Sequence, residues 1–288
     1  MAQDEAQTAA AGPPAPDTPP KPPAAWQPLT PRGVAAFATA TFNRVLLVEL
    51  IVALLTASTI SWFVATAWFP LVREAIRQLP ESGSMRDRKL LSPHPTPEPL
   101  AESRFLALVL NVTDEGDTPS RADVCVEFHQ NNFQLGTFLG RLTLDYPAGQ
   151  SWEFNRPELE PWWGAWEPML LGLVFLGVVA FLFVCWTALA TLYGLGARGL
   201  AVFKDRRLTL GGSWRLAAAA LMPGALLLTL GLLRYGLGAL DLVQLSLVVI
   251  LHFLVPWAYW IAATLVIPRL PDVPPASSNP FAPPPSSP

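Results

Sequence analysis

The chain has 288 residues, 51% of them hydrophobic and 14% charged, with a formal net charge of -3 and a mean hydropathy of +0.35. A soluble domain carries about 25% charged residues, so a wholly soluble chain is excluded, and the balance supplies no basic surface for nucleic acid. The two cysteines, Cys125 and Cys185, lie in segments of different character, which excludes an intrachain disulfide.

Residues 1–29 are rich in Pro and Ala and too poor in large apolar side chains to offset their ordering entropy, so a disordered tail is expected. No short apolar h-region is present there, which argues against a cleavable signal peptide. Residues 30–44, with Phe37 and Phe42, suit a short interfacial helix.

The first of four long apolar runs follows at residues 45–69. A hydrocarbon core about 30 Å thick needs about 20 such residues in a helix, and in lipid a helix satisfies its own backbone. Glu49, Thr56, Thr59 and Thr66 share one broad face of this helix, a polar stripe expected to turn toward other helices. Trp62 and Trp68 near its end favour the headgroup layer.

Residues 70–167 are the one stretch long enough for a small folded α+β domain. Helical spacing over 71–79 stops at Pro80. The run 104–113 is almost continuously apolar and predicts a buried central strand. At 123–129, Val124, Val126 and Phe128 alternate with Cys125, Glu127 and His129, as in a half-buried strand, and 138–146 alternates again. The expectation is an antiparallel module of three or four strands. Asp114, Glu115 and Asp117 would sit at a hairpin tip, where Asp, Gly and Pro supply turn chemistry. Cys125 reads as a small buried apolar residue, and the Asn111-Val112-Thr113 glycosylation sequon falls in the buried strand, which argues against its use. Trp162, Trp163 and Trp166 then precede the second apolar run, residues 168–193.

The connection 194–214 carries Arg198, Lys204, Arg206 and Arg207 against one acid, Asp205. Lysine and arginine bias places such a loop in the cytoplasm, where these four cations can meet anionic lipid. Its segment GLGARG matches G-x-G-x-x-G, but no β-strand precedes it as a dinucleotide site requires, and glycine at a helix end explains it. The third run, 215–233, contains Pro223-Gly224, and the fourth, 242–267, contains Pro256. The link 234–241 between them is short, pairing the two helices as a hairpin with Arg234 and Asp241 as an ion pair. In the fourth run Gln244, His252 and Tyr259 share one face, and His252 with Glu49 would make a polar site between helices. Residues 268–288, rich in Pro and Ser, are expected to be disordered.

The fold class expected is a membrane all-α bundle of four transmembrane helices with a small extracytoplasmic α+β domain between the first and second. Four spans and an inside basic loop put both termini in the cytoplasm. His94, His129 and His252 show no metal-site spacing, and no nucleophile, base and oxyanion donors assemble, so no cofactor, metal or catalytic group is expected. The partners implied are the lipid bilayer and a membrane or periplasmic protein. The layout, together with Gln78-Leu79-Pro80, Arg88-Lys89-Leu90, the strand 107–111 with Asp114 after it, and Met222-Pro223, resembles bacterial inner-membrane proteins related to the Yip-type superfamily. That resemblance implies a membrane-organising or accessory role and carries no catalytic motif. The sequence therefore suggests a non-enzymatic scaffold or accessory subunit of a bacterial inner membrane. Its alternatives are a small transporter or proton-coupled protein using Glu49 and His252, and an extracytoplasmic sensor signalling through the basic loop.

Overall fold

A computed structural model describes residues 26–93, 97–113, 120–149 and 151–269. His94, the acidic cluster Asp114, Glu115 and Asp117, and nearly all of both terminal tails lie outside the described residues. The chain is mostly helical, with four helices long and apolar enough to cross a membrane and a small β-sheet region between the first and second of them.

Two short turns open the structure, α1 (Pro31–Ala36) and a 3-10 turn (Phe37–Thr39). Thr30 caps α1 by accepting from the Gly33 amide. Val34 and Phe37 are fully buried in the helical core. Polar contacts hold the segment there. The Arg215 guanidinium donates to the Ala38 carbonyl at 2.9 Å and the Tyr259 hydroxyl to the Leu29 carbonyl at 2.9 Å, so this segment, residue 29 included, is tied to the bundle.

The first long helix joins α2 (Phe42–Phe63), a π-helical turn (Val64–Trp68) and α3 (Phe69–Gln78) into 37 continuous residues. Pro70 lacks an amide hydrogen and its ring crowds the carbonyl four residues back, and the wider turn just before it lets the helix continue past that fault. Leu79 leaves helical geometry ahead of Pro80, where the sequence placed the stop.

Eight strands follow: β1 (Ser84–Arg86), β2 (Lys89–Leu91), β3 (Glu98–Glu102), β4 (Leu106–Asn111), β5 (Val124–His129), β6 (Asn132–Thr137), β7 (Gly140–Asp145) and β8 (Trp152–Glu153). They form a three-stranded sheet ordered β2-β1-β8 and a five-stranded sheet ordered β3-β4-β5-β6-β7. All six residues of β4 are buried, as its apolar run predicts. The antiparallel expectation fails at one pair: β4 and β5 are parallel, Leu106 opposite Val124 and Asn111 opposite His129. Parallel neighbours cannot be joined by a hairpin, so β4 and β5 are not the antiparallel pair expected. The segment 138–146 also differs. Phe138 and Leu139 form the turn between β6 and β7, 55% and 83% exposed, because the true strand partner begins earlier, at Asn132. One face of the large sheet packs Leu106, Leu108 and Leu110 of β4 into one core with Ala75 of α3 and Leu79 just after it, with Val126 and Phe128 half-buried at its edge.

The last three helices are α4 (Arg156–Phe203), α5 (Leu210–Gly236) and α6 (Leu242–Val266). Asn155, Thr209 and Asp241 cap their N-termini, Asp241 and Gln244 forming a reciprocal capping box. That role replaces the expected ion pair: no Arg234–Asp241 pair is present among the described residues. At 48 residues α4 is about 72 Å long, which absorbs both the Trp-rich approach and the first half of the expected basic loop. The glycines of GLGARG are therefore interior to a helix, not at its end. Gly194 abuts the Trp214 backbone, a close approach that a side chain would obstruct, and Gly196 faces the Trp260 ring. α5 is the central helix, most of its apolar stretch buried, whereas little of α4's apolar stretch is fully buried. The run Ala217 to Ala220 is buried at every position, and such small residues let backbones come close.

Candidate functional site

Within the bundle, Glu49 is 3% exposed and shares the buried face of α2 with Val45, Val52, Ala53 and Thr56. Its Oε1 has no hydrogen-bond partner among the described residues. Thr56 hydrogen-bonds Thr229 of α5 at 2.7 Å and returns a bond to the Val52 carbonyl, and Thr59 bonds the Leu55 carbonyl. Thr56 and His252 do line one cavity, with Trp186, Tyr193 and Pro256, but its volume is only about 40 Å³. That is room for about one water. Glu49 is not part of its lining. The His252 Nδ1 lies 2.7 Å from the Val249 carbonyl of its own helix, Gln244 is engaged in the α6 cap and Tyr259 holds Leu29. The polar residues predicted to form one site are thus spread along the bundle and occupied separately.

The cations read as a loop lie together at one end of the bundle, but not in one loop. Arg198 lies in α4, the Lys204 ammonium sits over the Phe203 ring, and Arg206 donates to the Ile267 carbonyl at 2.6 Å. The Arg207 amide bonds the Pro268 carbonyl. These contacts clip the end of α6 to the α4–α5 turn, and they place both described chain ends at the basic end of the bundle.

At the other end, the two-sheet region is fastened to the helices. The Tyr235 hydroxyl of α5 donates to Asp123 Oδ2 at 2.7 Å, and Arg104 donates to the carbonyls of Gly238 and Leu240 at 3.0 and 2.6 Å. Phe63, Phe105 and Tyr235 stack mutually, with centroids 5.0 to 5.5 Å apart. Arg104 and Asp123 stand immediately ahead of β4 and β5, so the bonds act at the start of the two central strands.

The polar face of β5 was expected to meet solvent, but Glu127 and His129 are 3% and 4% exposed. β5 is a central strand, and of its six residues these two are buried while the other four are half-buried. The Glu127 carboxylate lies between two neighbours, Oε2 at 3.3 Å from His129 Nε2 and Oε1 accepting from the Cys125 thiol at 3.8 Å. Cys125 is therefore half-buried beside a carboxylate, not a small apolar core residue. Burial pushes its thiol up to about 11, with the charge of Glu127 and its hydrogen bond adding to the effect. It is held as a thiol and is a poor nucleophile. In a Cys185→Ala chain, alkylation at Cys125 should keep accelerating to about pH 11, where an ordinary thiol levels off near 9.0; a plateau near pH 9 would contradict this environment. The unfolded chain loses this proton before the folded one does. The stability it contributes is full below pH 9.0 and is lost as pH rises through about 11.

Two clefts flank the large sheet. One, of about 940 Å³, is polar and runs between Cys125, Glu127, Gln134 and Arg141 and the first turn of α6 at Asp241. The other, of about 930 Å³, is apolar and lies between Val126, Phe128 and Phe133 of the sheet and the first turns of α4. No part of the sequence pattern marked the second, because its walls come from six separate segments. The only advance signal was the density of aromatics over 152–166. Among the described residues no three His, Cys, Asp or Glu side chains are grouped to hold a metal ion.

The chain matches no protein-family model, and no curated protein or solved structure is significantly similar to it.

Proposed function

We propose that this chain is a non-enzymatic multi-pass protein of a bacterial inner membrane, a scaffold or accessory subunit that presents its two-sheet region to a partner on the extracytoplasmic side. The observation that carries this reading is the lock between sheet and helices: Tyr235 with Asp123, Arg104 with the carbonyls of the α5–α6 link, and the Phe63–Phe105–Tyr235 stack. A β region fastened at its central strands is held at a fixed angle to the bundle, as a presenting surface requires. The gathering of Arg198, Lys204, Arg206 and Arg207 at the opposite end favours that end as cytoplasmic. The packed interior supports a scaffold over a transporter, since the cavity shared by Thr56 and His252 holds about one water and excludes Glu49. The likeness to Yip-type proteins points to the same accessory role.

The test uses single cysteines in a chain with Cys125 and Cys185 replaced by alanine. Leu139→Cys, at the 83% exposed β6–β7 turn, should react with a membrane-impermeant maleimide in intact cells, and Phe203→Cys, 76% exposed at the basic end, only after lysis. The reverse pattern overturns the orientation. A chain extracted in mild detergent from its native membrane should carry a partner in fixed stoichiometry, and recovery of the chain alone overturns the accessory role.

A further inference from the structure

We propose that the apolar cleft between the five-stranded sheet and the start of α4 binds the aliphatic chain of a membrane lipid that carries an ammonium headgroup, drawn from the leaflet on the sheet side. The proposal rests on the membrane-spanning reading above. Period-two alternation places Val126, Phe128 and Phe133 on one sheet face. The part of that face under β4 is filled by Leu106, Leu108 and Leu110 against α3. The part under β5 and β6 is not, and it leaves the cleft of about 930 Å³, within the usual range for a bound small molecule. Met85 and Tyr146, 3% and 4% exposed, form its floor, and Trp152 and Trp162, 51% and 49% exposed, form its walls. Two indoles half open to water beside an apolar hollow mark a place where an apolar ligand releases water.

Location selects a lipid as that ligand. The Trp162 wall belongs to the helix whose apolar run starts at Met169, about 10 Å further along the axis. Trp163 and Trp166 lie between, at the level where indoles favour headgroups. A lipid drawn up along α4 can lay its chain in the cleft with its headgroup at the outer rim, where Glu158 stands about 6 Å beyond Trp162 along the axis. Charge selects the headgroup. The cleft's two ionisable side chains are Glu153 and Glu158. Glu153 has Arg86 at 3.6 Å and the Asn155 amide at 3.4 Å. Glu158 has no ion pair among the described residues, so a carboxylate stands unneutralised at the rim beside Trp162. A carboxylate next to an indole face suits an ammonium group.

The experiment titrates the detergent-purified full-length chain with phosphatidylethanolamine or phosphatidylglycerol of identical chains, read by native mass spectrometry. One phosphatidylethanolamine per chain should bind above the nonspecific series. Trp152→Ala should lower its occupancy about tenfold by removing one wall. Glu158→Gln should erase the preference over phosphatidylglycerol while chain binding persists. Both replaced side chains are exposed, and unchanged melting temperatures confirm folding of the variants. Absence of a specific lipid, equal binding of the two lipids by the unaltered chain, or indifference to both variants overturns the proposal. Sedimentation of the chain with membranes is measured on the same cells. If it sediments and binds no lipid, the cleft assignment fails alone; if it stays soluble, the membrane reading itself fails.

Discussion

Gly224→Leu is expected to separate α5 from α6 and to destabilise the bundle by about 3 kcal/mol, the upper end of the cost of overpacking a core. A Cβ at Gly224 would meet the His252 carbonyl oxygen at 2.6 Å and the Pro256 ring carbons at 3.0 Å. Neither obstacle can rotate away, since one is backbone and the other a closed ring. The geometry has a single origin. Pro256 has no amide hydrogen for the carbonyl four residues earlier, which is that of His252, so this oxygen is released from the helix ladder and comes to rest against α5. Glycine at 224 provides the space for it. Because α5 also packs on α2 and α4, displacing it disturbs those two packings as well. Gly177→Leu on α4 is the control: nothing lies within 4 Å of a Cβ there, and stability should stay unchanged. Thermal unfolding in detergent compares the two. Equal behaviour would mean that α5 and α6 are not in contact at Gly224.

The four long helices were legible in the sequence because the signal is an average: about 20 consecutive apolar residues leave a helix across a membrane as the one inexpensive conformation. Burial within them was legible only by face. Of the stripe Glu49, Thr56, Thr59 and Thr66, the first three are buried, and Thr66, in the π-helical turn, is exposed. Its expected companionship with His252 depended on the relative height of two helices, which no periodicity contains. β4 was legible for the same reason as the spans, a run with no polar interruption. β5 shows the limit of alternation. The period of two was correct, but alternation reports two faces without reporting what covers them, and Glu127 and His129 proved to be covered. The parallel pairing of β4 with β5 left no local trace. A connection of Asp, Gly and Pro reads as a tight turn whether its strands run together or opposed. Short strands such as β1, β2 and β8, two or three residues each, are created by their pairing and not by their own residues.

Tyr235→Ala should loosen the two-sheet region while leaving the four helices assembled, at a cost of about 3 kcal/mol, at the low end for truncating a packed aromatic because part of the ring meets the link and not the deep core. The ring stacks on Phe63 and Phe105 at 5.5 and 5.0 Å, and its hydroxyl holds Asp123 at 2.7 Å. Tyr235→Phe keeps the stack and removes only the hydrogen bond, so about 1 kcal/mol is expected. Arg104→Ala removes two donors from carbonyls of the α5–α6 link, but the guanidinium is exposed and solvent replaces it, so about 1 kcal/mol again applies. The three differ in size but should share one spatial signature. Hydrogen exchange should rise at the starts of β4 and β5 and over residues 237–241, with α4 and α6 still protected. The double variant Tyr235→Phe, Arg104→Ala should exceed the sum of its parts, because either contact alone can hold the sheet against the link. Exchange that rises uniformly through the helices would show that Tyr235 supports the bundle itself. Exchange that does not change anywhere would show that the sheet is not held by these contacts, and the fixed presentation on which the proposed function depends would be lost with them.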